Sequence, residues 1–160
     1  MSETALDRFL RYARIDTQSK DESDTYPSTA KQFDLLNLLV KELQDIGARD
    51  VTIDEHGYVM ATVPSTVPKA NPVSRRIPVI GFVAHVDTSP SASGENVKPQ
   101  VIHAYPGGDV TLPGNPSVVI RAEENPELAN NIGKTIVTSD GTTLLGADDK
   151  AGVAIIMTAA

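Results

Sequence analysis

The chain contains no cysteine and no tryptophan. Without cysteine there can be no disulfide framework, no thiol nucleophile and no thiolate-built zinc finger or ribbon. Aromatic residues make up only 4% of the chain, and histidine occurs three times, at 56, 85 and 103. Any metal site must therefore lean on carboxylates. Positive charge is also scarce, with 14 Lys and Arg against 21 Asp and Glu and a net charge of −7. That balance, with so few aromatics, argues against a nucleic acid or an anionic membrane surface as a partner. Long apolar runs are missing too. Residues 77–84 and 151–160 are the longest, and both fall well short of the ~20 residues that span a bilayer. The start, Met1 to Arg8, is charged and lacks the apolar centre of a secretory signal. A soluble, cytoplasmic protein with no membrane partner is the expectation.

The residues that are present can build a packed core. The chain has 160 residues, 40% of them hydrophobic, which suits one domain or one piece of a larger protein. Leu6, Phe9, Leu10 and Ala13 recur at helical spacing, and Thr4 followed by Asp7 is a start signal, so a helix is expected over 4–15. Residues 16–28 are polar and contain Pro27, and read as an exposed loop. A second helix is expected over 29–46. Thr29 and Gln32 have capping-box spacing, Phe33, Leu36, Val40 and Leu43 form the buried stripe, and Gly47 falls at the left-handed cap.

Strands follow. Val51 and Ile53, then Val59, Ala61 and Val63, alternate around a turn at Glu55-His56-Gly57. Residues 64–76 are proline-rich and read as a surface loop. Residues 77–84 are nearly all apolar, the pattern of a strand buried on both faces in a helix-covered α/β sheet, with Pro78 tolerable at its start. Residues 88–133 are irregular apart from a short strand at 118–120. Residues 135–138 and 142–145 flank Asp140-Gly141, a hairpin signal. The last run, 151–160, is apolar on every side and reads as a helix inside a domain. A chain stopping inside such a helix leads us to expect that 1–160 is the N-terminal part of something longer. The fold class expected is α/β, a mixed sheet flanked by helices.

Two clusters could carry chemistry. In His85-Val86-Asp87 the imidazole and the carboxylate leave an extended segment on the same side, directly after the expected buried strand. His85 could bind a metal through one ring nitrogen while Asp87 orients the ring. A strand-end histidine bonded to a neighbouring turn would show the same residues. In Gly146-Ala147-Asp148-Asp149-Lys150-Ala151-Gly152 two carboxylates open a helix. Capping explains one of them, because aspartate suits the positive end of a helix. Two in a row exceed what a cap needs, and Lys150 opposes the dipole. An aspartate at a helix start could bridge two divalent cations. His56 and His103 read as turn or surface residues, and Gly107-Gly108-Asp109 reads as a turn. The Gly-x-Ser-x-Gly and His-Glu-x-x-His patterns are both absent.

Both clusters, in this order, resemble the two N-terminal signatures of the di-zinc aminopeptidase family, Ala84 to Pro90 matching the first and Leu144 to Gly152 the second. Residues 135–141 and Gly107-Gly108-Asp109 resemble its tripeptide-cleaving subgroup. The resemblance runs from about Leu6 to the end. It implies that His85 ligates one zinc, that Asp148 bridges two zinc ions, and that Asp87 is the catalytic aspartate supporting His85. It also implies a non-proline cis peptide between Asp148 and Asp149. The activity implied is metal-assisted hydrolysis releasing the N-terminal residue of tripeptides, with a glutamate as general base. That glutamate and the remaining ligands lie downstream in the family, as does an inserted second domain associated with homodimers. The expectation is therefore that residues 1–160 are the N-terminal portion of the catalytic domain, inactive alone and with weak or no stoichiometric zinc binding. Two other readings stay open: a non-catalytic binding or regulatory module on the same fold, and a related deacylase or dipeptidase.

Overall fold

A computed structural model describes residues 3–68, 70–71 and 77–160. Part of the expected 64–76 loop lies outside the described residues.

Helix α1 spans Ala5–Ala13. Its start is the capping box expected at Thr4: the Thr4 hydroxyl accepts the Asp7 N–H at 3.2 Å, and the Asp7 carboxylate accepts the Thr4 N–H at 3.1 Å. Phe9, Tyr12 and Ala13 form its buried face. Helix α2 spans Gln32–Asp45 and buries Leu35, Leu36 and Leu39, a stripe centred slightly to one side of the expected one. It starts later than expected. Thr29 does not cap it; instead the Gln32 side chain turns back and donates to the Thr29 hydroxyl at 3.2 Å. Gly47 follows at φ +83, in the left-handed conformation that ends a helix at least cost for glycine.

Strands β1 (Arg49–Ile53) and β2 (Val59–Thr62) pair antiparallel, as the alternation around the 54–58 turn predicts. Strands β3 (Gln100–Ile102), β4 (Val110–Thr111), β5 (Val119–Ile120) and β6 (Ile136–Thr138) make two more antiparallel pairs, β3 with β6 and β4 with β5. Helix and strand are both present, as an α/β reading requires. Among the described residues the strands lie in three two-stranded ribbons, and the parallel contact is the isolated bridge Gln18–Thr88.

Two expectations are corrected. Residues 77–84 form no strand and are not buried: Val79 is 100% exposed, Val83 94% and Phe82 71%. An apolar run reports that burial is favourable, not which neighbour supplies it, and no described strand lies alongside. The hairpin over 135–145 does not close either. Strand β6 pairs with β3 in a register that joins Gln100 to Thr138, 38 residues apart, a separation that local turn chemistry cannot reveal. Asp140 folds its carboxylate onto the Thr142 N–H and hydroxyl instead, at 2.9 and 2.6 Å, and its carbonyl accepts the Gly114 N–H at 2.7 Å. Those bonds satisfy the turn without a second strand.

Helix α3 spans Ala147–Ala159 and packs against α1. The main core joins Phe9, Tyr12 and Ala13 of α1, Leu35, Leu36 and Leu39 of α2, Val86, and Val153, Ala154 and Met157 of α3. Burying each large side chain is worth about 1.5–3 kcal/mol. A charged cluster ties α1 to α2: Arg8 and Arg11 both donate to Glu42, whose carboxylate also accepts the Tyr12 hydroxyl at 2.6 Å. A smaller core gathers Tyr105, Val110 and Leu112.

Candidate functional site

Burial alternates along residues 85–88 with a two-residue period. Val86 and Thr88 are buried at 9% and 2% exposure. His85 and Asp87 emerge on the other side, half exposed. The Asp87 carboxylate lies 3.0 Å from His85 Nδ1, and the Asp87 carbonyl lies 3.1 Å from the same nitrogen. The Nδ1–H therefore donates to both oxygens, which fixes the ring.

The opposite ring nitrogen faces α3. His85 Nε2 lies 3.1 Å from Asp148 Oδ1, across 63 residues of sequence. Asp148 and Asp149 are not helical (φ/ψ −90/104 and −122/29), and the peptide joining them is cis. The chain reaches them through Gly146 at φ +74. The pair of acids then divides its duties. Asp149 Oδ1 accepts the Gly152 N–H at 3.2 Å, the bond an N-cap makes. Asp148 is released from capping, and its side chain is 95% exposed toward His85.

Lys150 does not oppose the helix dipole from the surface. It is 1% exposed, and its ammonium donates to the Ile15 carbonyl just beyond α1 at 2.6 Å. Burial pushes it down to about 8 despite the nearby Asp16 charge. For His85, burial alone would lower the pKa. The Asp87 charge and the hydrogen bonds to Asp148 and Asp87 outweigh it and raise it above the ordinary value. An imidazole between two carboxylates holds its proton more tightly than a free one.

His85, Asp87 and Asp148 line an open cleft of about 370 Å³ together with Leu144, Gly146 and Ala147. The structure thus brings together all three residues singled out from sequence. His56 sits in the β1–β2 turn and His103 beside Thr135, both exposed and outside this cleft. Among the described residues no three His, Asp or Glu side chains converge on one point. The donors present are of the types that ligate divalent cations: a ring nitrogen and a carboxylate oxygen face each other, and the second ring nitrogen is held by another carboxylate. Sequence reasoning missed Thr17, Gln18 and Ser19, which brace this segment from the 15–19 loop. Their polar composition reads as an ordinary loop, and their partners lie about seventy residues away.

The chain is similar in sequence to known proteins. Over 159 residues the chain is 52% identical to a protein from Geobacillus thermodenitrificans and 52% identical to one from Bacillus licheniformis. Over 154 residues it is 50% identical to one from Halothermothrix orenii. Each of these proteins is a peptidase T. The matches cover 99%, 99% and 96% of this chain. The chain spans 36–37% of the length of those peptidase T relatives. No family model matches the chain. Similarity to peptidase T therefore reaches through both site segments, 85–87 and 146–152, and through every described element.

Proposed function

We propose that this chain is the N-terminal portion of the catalytic domain of a zinc-dependent aminopeptidase that releases the N-terminal residue from tripeptides. The observation that carries the reading is the meeting of His85 Nε2 with Asp148 Oδ1 at 3.1 Å, with Asp87 on the other ring nitrogen. Its setting, in a sequence about half identical to peptidase T, supports the choice of reaction. His85 and Asp148 would hold the metal, with Asp148 bridging two ions. Asp87 keeps the Nδ1 proton and so presents Nε2 as a ligand. Bound zinc would polarise a peptide carbonyl and lower the pKa of water to about 7. The open cleft gives a short peptide room beside these groups.

Catalytic zinc sites take three protein ligands, so this chain alone is expected to be inactive. Residues outside it would supply the general base and the remaining ligands, and an inserted domain would support a homodimer. The test uses the protein purified from its own cells. The expected result is an intact mass far above 17.0 kDa, hydrolysis of tripeptides ahead of dipeptides and acyl-amino acids, loss of activity on chelation, and recovery with zinc. A mass of 17.0 kDa, or no tripeptide hydrolysis, would overturn the reading in favour of a binding module.

A further inference from the structure

The two halves of the cleft are far apart in sequence, and His85 and Asp148 meet only if something outside them fixes their separation. The polar loop after α1 touches both carriers. At one end, the Ile15 carbonyl receives Lys150, two residues from Asp148. At the other, Thr17 is fully buried and donates its hydroxyl to the Val86 carbonyl at 2.6 Å. The Thr17 carbonyl accepts the Thr88 N–H at 3.2 Å, and the Thr88 carbonyl accepts both the N–H and the hydroxyl of Ser19 at 2.9 Å. These bonds bracket Asp87 on both sides. Gln18 reaches further along the same segment, to the Ala92 carbonyl at 2.8 Å.

The loop is itself anchored. Asp16 pairs with Lys31 at 2.7 Å, and its other oxygen accepts the Gln18 N–H at 2.9 Å. Residues 15–19 therefore act as a short, internally braced spacer between α3 and the 85–88 segment. In a buried setting, losing a hydroxyl bond to a carbonyl leaves an unpaired acceptor that water does not reach. Segment 85–88 has no strand partner other than the Gln18–Thr88 bridge among the described residues, so these bonds are what hold it in register.

We propose that the Ile15–Ser19 loop is the positioning element of the site and that Thr17 is its key residue, setting how His85 and Asp87 face Asp148. This rests on the reading above only for the naming of the site. Thr17 touches no ligand position; it acts through the Val86 and Thr88 backbone.

The test is two-bond proton–nitrogen NMR of the three histidine rings in the 160-residue chain, in the parent and in Thr17→Val, Thr17→Ser and Ser19→Ala, at one fixed pH. Val keeps the size of Thr and removes the hydroxyl; Ser keeps the hydroxyl. In Thr17→Val the His85 ring nitrogens are expected to move toward the values of the exposed His56, while His56 and His103 stay in place. Thr17→Ser should restore the parent His85 signals. If Thr17→Val does not fold, Ser19→Ala decides by the same shift, since it removes one exchangeable bond to Thr88 and leaves the buried position intact. A folded variant that loses stability but leaves the His85 ring signals at their parent positions would overturn the proposal, because the loop would then be structural only. Failure of the zinc reading would show separately, as absence of any zinc effect on His85 in the parent.

Discussion

Asp149 accepts the Gly152 N–H at 3.2 Å, and that one bond leaves Asp148 free to face His85. The division predicts opposite behaviour for adjacent carboxylates. Asp149→Ala should lower stability by about 1 kcal/mol, the usual cost of losing a cap. Asp148→Ala should change stability by less than about 0.5 kcal/mol, as surface changes do. Urea unfolding of the two variants checks this, and equal losses would contradict the division.

Gly152 follows from the same geometry. A Cβ there would lie 2.3 Å from Asp149 Oδ1. Alanine is the better helix former by about 1 kcal/mol, yet Gly152→Ala should destabilise, because the cap must swing away. A thermal midpoint above the parent value would show that the cap is dispensable.

Glu42 holds the α1–α2 contact through Arg8, Arg11 and Tyr12. Burial pushes its carboxyl up, but the hydrogen bonds from Arg11 and Tyr12 and the charges of Arg11 and Arg8 prevail and leave it below the ordinary value. A carboxyl that ionises more readily when folded stabilises the fold above the unfolded pKa of about 4.3. That contribution is lost as pH falls through the lower, folded value. Glu42→Gln should cost about 1.5–3 kcal/mol at pH 7 and should flatten the acid side of the stability–pH curve. Urea midpoints between pH 7 and pH 3 measure both effects.

Buried and exposed apolar residues should respond differently. Leu35 is fully buried, and Leu35→Ala should cost about 2–5 kcal/mol. Val79 and Phe82 are exposed in the 77–84 segment. Val79→Thr should change stability by less than about 0.5 kcal/mol. An exposed apolar stretch favours association, so sedimentation of the chain should depend on concentration, and Val79→Lys with Phe82→Lys should reduce that dependence. Concentration-independent, monomeric sedimentation of the parent would contradict it.

Local signals carried much of the fold. Thr4 with Asp7, Gly47 at the end of α2 and the alternation around residues 54–58 each involve residues within a few positions of one another, and each element formed where its pattern lies. Residues 77–84 show where that logic stops, since apolarity cannot name the neighbour that covers it. Strand β6 shows the same limit: Asp140-Gly141 promised a local partner, and Val137 pairs with Val101 instead. In the site, His85, Asp87 and Asp148 were candidates by residue type and spacing, and the resemblance to the di-zinc aminopeptidase family chose among the readings that spacing left open. Thr17 and Lys150 were not, because a threonine in a polar loop and a lysine in a first turn gain meaning only from Val86 and Ile15 across the fold.

The most direct measurement is a zinc titration of the 160-residue chain followed at the three histidine rings, repeated with Asp148→Asn. The expected result is a weak response confined to His85, removed by Asp148→Asn, with His56 and His103 unmoved. No response at His85, an equal response at all three rings, or a His85 response that survives Asp148→Asn would contradict a metal site built on His85 and Asp148.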